Sequence, residues 1–148
     1  MSILGIDYGA KKIGLAISDE ENRLALPLEI LANTNKKEVL AKLLQICRDH
    51  NITKIVIGVP ISLAAEKRQT FWRQKDLDNR QMKEVLAFVD WLRSALEIPI
   101  EVEDERLSTK MANGLRKEMV RKGADDAVAA MLILQSYLDK MKNLKITL

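Results

Sequence analysis

Residues 3–19, reading ILGIDYGAKKIGLAISD, restrict the fold more than any other stretch of the chain. An apolar run ends on a single acid, Asp7. A Tyr8-Gly9-Ala10 corner carrying Lys11 and Lys12 follows. A second apolar run then closes at Ser18 and Asp19. Two short apolar runs joined by a glycine corner read as neighbouring buried strands. Asp7 then ends a central strand, where the chain leaves the core. A carboxylate there costs free energy unless something pairs with it or binds it.

Downstream, residues 24–31 (LALPLEIL) read as a third strand. Pro27 has no N–H to give a ladder, so this strand belongs at a sheet edge or breaks there. The short turns predict an antiparallel three-strand meander. Asn35 is positioned as an N-cap, with Glu38 at capping-box spacing. Leu40, Leu43, Leu44 and Cys47 recur at helical period, which predicts a helix over 36–50. Cys47 is then a core thiol and His50 a residue of the helix C-terminus. Residues 54–59 (KIVIGV) form a short apolar strand of the kind covered on both faces, and Pro60 stops it. After a loop and a polar segment to residue 80, a helix is predicted from Met82 to about Leu96. A strand over 100–103, a basic helix from Ser108 or Thr109 to about Lys122, and a last helix over 127–141 complete the order. The first half of that last helix, AVAAMLIL, is apolar nearly all round and is expected to lie on the sheet. The tail 142–148 is expected to fray or to add an edge strand. This order predicts an α/β fold: a mixed five-stranded sheet, the meander plus parallel strands, with helices on both faces. The whole length, 1–148, reads as one domain.

Composition narrows the chemistry. A single cysteine excludes an internal disulfide and a Cys-based zinc site, and a single histidine excludes a His cluster. Any catalysis therefore falls to carboxylates. No apolar run approaches the roughly 20 residues that span a bilayer, and no signal peptide opens the chain, so a cytoplasmic location is expected. The net charge is +3, a weak pointer to a polyanion. Local distribution is more informative: Arg106, Lys110, Arg116, Lys117, Arg121 and Lys122 crowd one segment, either a solvated helix face or a phosphate-binding one.

Three acidic positions fall at element ends: Asp7 after the first strand, Asp104 and Glu105 after the last, and Asp125 and Asp126 before the final helix. Ligands of α/β sheets collect where strand ends meet helix starts. Carboxylates converging there suit Mg²⁺, and a pair of such ions about 4 Å apart can activate water against a phosphodiester. Each acid also has a structural reading: Asp125 or Asp126 as an N-cap, Asp104 or Glu105 as a partner for Arg106, Asp7 as a turn acid.

GIDYGAKKIGLAISD, KIVIGVP, EDERLST and DDAVAAMLILQSYLD, in that order, closely resemble the signature blocks of the YqgF/RuvX family. The family is described both as Holliday junction resolvases and as nucleases that mature the 5′ end of pre-16S ribosomal RNA. The resemblance implies an RNase H-like fold and a nuclease dependent on Mg²⁺ or Mn²⁺, with two ions expected. Matched by motif, Asp7, Glu105 and Asp126 are the implied catalytic metal ligands, with Asp104 as an alternative ligand. Lys11, Lys12 and Arg106, with Lys110, Arg116 and Lys117 of the basic helix, are the implied contacts to nucleic acid. One departure stands out: residues 61–81, ISLAAEKRQTFWRQKDLDNRQ, lack the short glycine-containing loop of the family. There Phe71 and Trp72 either stack on unpaired bases or pack down along a helix extension.

The expected substrate is structured RNA, pre-16S rRNA, presented by the precursor of the small ribosomal subunit. The alternative is branched DNA, for which a symmetric dimer is required; monomer and homodimer both remain open, with no membrane partner. Two other classes fit parts of the chain. An Ile-Asp-x-Gly corner also opens the phosphate hairpin of actin-like ATPases and sugar kinases, but those need two such domains. A non-catalytic RNA-binding module of the same fold has no need of an acid at all three positions.

Overall fold

The computed structural model describes residues 1–59, 80–104 and 126–147. Their elements run β1 (Ser2–Tyr8), β2 (Lys12–Ser18), β3 (Ala25–Ala32), α1 (Lys36–Asp49), β4 (Ile52–Val59), α2 (Arg80–Ala95), β5 (Ile100–Asp104) and α3 (Asp126–Thr147). The strands form one sheet in the order β3-β2-β1-β4-β5. β1, β2 and β3 pair antiparallel, while β4 pairs parallel with both β1 and β5. The expected meander and crossovers are both present. The predicted basic helix and the segment with Phe71 and Trp72 lie outside the described residues.

Local chemistry explains the element ends. β3 is an edge strand, and its register with β2 slips where Leu15 faces Glu29 but Ala16 faces Pro27. The slip leaves one extra residue on β3, a bulge beside the proline, which cannot donate to the ladder. The β2–β3 turn closes on Asp19, whose carboxylate accepts from the N–H groups of Arg23 and Leu24 at 2.8 and 3.3 Å. These bonds, the one from Arg23 first, hold the Asp19 carboxyl below its ordinary range. α1 starts on Asn35, whose side chain accepts from the Lys37 N–H at 2.8 Å. It stops at His50, and Asn51 follows with a left-handed φ of 52°.

Two cores flank the sheet. On one face Leu4, Ile6, Ile13 and Leu15 meet Leu43 of α1 and Leu92 of α2, all fully buried. Each such leucine contributes about 1.5–3 kcal/mol by leaving water. Cys47 lies in this core, where burial pushes its thiol up. On the other face Ala16 and Val56 meet Ala130, Ile133 and Leu134 of α3. β4 is therefore covered on both sides, as its unbroken apolar run predicts. α3 lies so close that a Cβ added to Gly5 would stand 2.8 Å from Leu134 Cβ and 3.1 Å from the Ala130 carbonyl oxygen.

One feature differs from the sequence expectation. The tail does not fray after residue 141 or turn into a strand; α3 continues through it to Thr147. No glycine or proline interrupts residues 142–147, so the helical ladder has no reason to stop. In β5 the alternation of apolar and acidic residues is turned with acid inward: Glu103 is buried, while Val102 is 45% exposed.

Candidate active site

The position of Asp7 follows from strand geometry. It lies in β1 opposite Gly14 and is half-buried. Side chains two apart on a strand share a face, so Asp7 faces the same side as Gly5, the side covered by α3. Continuing the β1–β4 register by one residue sets Asp7 beside Gly58, which in turn pairs with Glu103.

α3 runs against β1. Ala130 sits over Gly5, and farther along the helix Tyr137 reaches Lys54 near the start of β4. Its first turn therefore points to the carboxyl ends of β1 and β4. From Ala130 back to Asp126 the helix rises about 6 Å, and from Gly5 to Asp7 the strand rises about 7 Å. The start of α3 thus comes level with Asp7. β5 ends at Asp104 beside Val59, on the same edge of the sheet. Asp7 and Asp104 thus lie toward the carboxyl ends of their strands, and Asp126 opens the helix that covers β1. Glu105, Arg106, Lys110, Arg116 and Lys117 lie outside the described residues. Among the described residues, no three acids, histidines or cysteines form a group able to hold a metal ion.

The corner after Asp7 is tightly tied. A Cβ on Gly9 would stand 2.5 Å from the Lys12 carbonyl oxygen, so only glycine fits without moving backbone. Asn33 clamps the same corner: its Nδ2 donates to the Gly9 carbonyl at 2.8 Å and its backbone N–H to the Lys11 carbonyl at 2.9 Å. Lys11 and Lys12 are left exposed beside it. Asn33→Ala should therefore cost about 0.5–1.5 kcal/mol in a urea titration, the worth of one hydrogen bond. An unchanged midpoint would mean that the clamp does nothing. Asn33 is a residue that sequence reasoning missed, because its partner is a backbone carbonyl 24 positions away.

The comparison with known proteins turns on one match. The family model described as "RuvX: Holliday junction resolvase" covers residues 1–140. This chain belongs to the RuvX family. Relatives from Rickettsia peacockii (strain Rustic) and Rickettsia akari (strain Hartford) are 36% and 37% identical, each over 96% of this chain and 88% of the relative. Both carry the name "Putative pre-16S rRNA nuclease". Among solved structures, Thermus thermophilus RuvC in complex with a Holliday junction superposes with a TM-score of 0.56 at 17% identity, covering 96% of each chain. The Fowlpox virus resolvase, bound to Holliday junction DNA, superposes at 0.53 and 12% identity, covering 95% of this chain and 99% of that one. The shared architecture is the RNase H-like fold of these nucleases. Family and relatives together make this RuvX protein an enzyme of the phosphodiester-hydrolysing class.

Away from the Asp7 edge, the RuvX chain holds polar networks that sequence reasoning did not single out. Lys54 Nζ donates to the Tyr137 hydroxyl at 2.8 Å, and that hydroxyl donates to Glu101 Oε2 at 2.5 Å. Lys54 also pairs with Glu101 directly at 3.3 Å. The bond with Tyr137 is the main reason that Lys54 is raised and Glu101 lowered, whereas burial is the main reason that Tyr137 is raised. Beside this network, buried Glu103 accepts from Lys140 and from Ser136. Gln135 Nε2 donates to the Arg23 carbonyl while its Oε1 accepts from the Ala25 N–H, fastening α3 to the β2–β3 turn. The only sequence signal for these ties was the acid alternation of β5, which a helix face bearing Tyr137 and Lys140 answers.

The Glu101 network has a pH signature. A carboxyl lowered in the fold adds stability above its unfolded value, near 4.5, and loses it as the pH falls through the folded value. Glu101→Gln should therefore lower the melting temperature at neutral pH. The difference from wild type should close in acid, below the ordinary carboxylate range. A gap that persisted unchanged at low pH would refute the assignment. The effect is modest, because the carboxylate is 48% exposed.

Proposed function

We propose that this RuvX protein is a single-domain, cytoplasmic, metal-dependent nuclease that matures the 5′ end of pre-16S ribosomal RNA. The observation that supports the reading is backbone placement: Asp7 lies near the end of β1 and Asp104 ends β5, Glu105 follows directly on Asp104 in sequence, and Asp126 opens the helix packed over β1. The name borne by relatives over nearly the whole chain supplies the substrate.

The donor set suits hard divalent cations, Mg²⁺ or Mn²⁺, which take oxygen ligands. The softer ligands are elsewhere: Cys47 is buried within α1, and His50 ends that helix at its far terminus. Asp7, Glu105 and Asp126 would hold the ions, with Asp104 as an alternative. Two ions bound there would generate the attacking hydroxide and offset charge on the leaving oxygen. The chain's own part is to orient and exclude. Asp7 is fixed by a strand paired on both sides, so its carboxylate needs little reorganisation. Gly9 lets the corner close tightly on the Lys12 carbonyl. Lys11 and Lys12 bind the phosphate backbone, with Arg106, Lys110, Arg116 and Lys117 adding charge. The partner is structured RNA within the precursor of the small ribosomal subunit.

A second reading, resolution of branched DNA, has its own support in the family's description. It requires a symmetric dimer that cuts two strands. Labelled pre-16S RNA and a four-way DNA junction, each incubated with Mg²⁺ or Mn²⁺ and with a chelator, separate the readings. The expected result is metal-dependent cleavage of the RNA. Cleavage of the junction alone, by a dimer, favours resolution. Cleavage of neither favours a binding module.

A further inference from the structure

Tyr8 follows Asp7 on β1 and therefore faces the opposite side of the sheet, toward α1 and α2. Its ring lies 4.5 Å from that of Phe88, which lies 5.7 Å from that of Trp91. Phe88 is buried and forms a floor, while Tyr8 and Trp91 remain half-buried. With Asn33, Lys36 and Glu84 these rings line a recess of 150 Å³. A larger cleft of 590 Å³ runs from Tyr8, Gly9 and Ala10 to Arg80 and Glu84. Tyr8 and Glu84 line both, so the recess opens onto the Gly9 corner.

We propose that this recess receives one unpaired nucleobase of the substrate strand, next to the phosphate held at the Asp7 edge. The inference rests on the nuclease reading and specifies the substrate: a strand that is single-stranded beside the cut. Three features select a base over other occupants. The recess is lined by three aromatic rings and its 150 Å³ is too small for a duplex, and base–aromatic stacking tolerates any sequence. Lys36 Nζ stands 5.7 Å from the centre of the Trp91 ring, supplying positive charge beside the strand. Glu84, paired with Arg80 at 3.5 Å, repels a phosphate but accepts hydrogen bonds from the amino group of a base. Phosphates then follow the lysines of the corner, and the base turns inward past Tyr8.

The test uses the full chain and three RNAs in chelator, so that no cleavage intervenes: a hairpin with a single-stranded 5′ tail, the same hairpin with an abasic tail, and a blunt hairpin. Fluorescence anisotropy should show wild type preferring the tailed RNA over its abasic form by about tenfold. Trp91→Leu, which keeps apolar volume without the ring, should reduce the preference to within about twofold. Trp91→Phe should retain it, and binding of the blunt hairpin should not change. If Trp91→Leu fails to fold by circular dichroism, Tyr8→Leu carries the same test. An undiminished preference in a folded leucine variant, or no preference in wild type, overturns the proposal. Cleavage is scored separately with metal. Cleavage without base preference removes the recess alone, and base preference without cleavage removes the nuclease reading alone.

Discussion

Asp7→Asn should lower cleavage of labelled pre-16S RNA by more than about 10²-fold while leaving the fold intact. The magnitude follows from comparison. Removing a group that only orients a metal ligand costs about 10–100-fold, and loss of a ligand itself must exceed that. The substitution keeps shape and removes the charge that, on the proposed mechanism, would hold the cations. The strand around it is specified elsewhere, by Leu4, Ile6 and their partners across β2 and β4, so the variant should still fold. RNA binding in chelator should also persist, because Lys11 and Lys12 are untouched. Equal cleavage by the two proteins would remove Asp7 from the mechanism.

Gly5→Ala should destabilise the fold by overpacking the seam between β1 and α3. The new Cβ would meet Leu134 Cβ and the Ala130 carbonyl oxygen. Neither is the far end of a flexible side chain, so α3 must shift as a body. Overpacking of this kind costs about 1–3 kcal/mol, which lowers the melting temperature of a chain this size by about 3–10 °C. Activity should fall further than stability alone explains. α3 begins at Asp126, a ligand on the proposed mechanism, and moving a catalytic group by about 1 Å can cost 10²-fold. Thermal melts and cleavage rates of the one variant test both effects. An unchanged melting temperature would show that the helix does not lie as close as its geometry indicates.

The two substitutions mark where sequence reading succeeds and where it stops. The position of Asp7 in β1, before the Gly9 corner, was legible because an apolar run that closes on an acid and a glycine reads as a strand end. The strands, the Asn35 cap, the core role of Cys47 and the edge position of the Pro27 strand were legible for a similar reason. Each is dictated by bonds and burial within a few residues. Gly5 looked like one more small residue in an apolar run. Its importance depends on a helix some 130 positions away in the chain. Asn33, Gln135 and the Lys54–Tyr137–Glu101 network were missed on the same ground. The length of α3 was underestimated because the tail was read as a terminus, where fraying is common, and not as a helix continuing without a breaker.

By itself, the sequence determined the order and type of the described elements, the supply of a single cysteine and a single histidine, and the family blocks that carry Asp7, Glu105 and Asp126. These are local matters: period, turn chemistry, the supply of side-chain types. Only the tertiary structure decided that α3 runs against β1, so that its first turn, and not its last, comes level with Asp7. It also decided that Glu103 of β5 is buried and that Tyr8, Phe88 and Trp91 share one recess. Those outcomes depend on how closely two backbones approach and which faces they present. That is set by packing between segments that do not meet until the chain has folded.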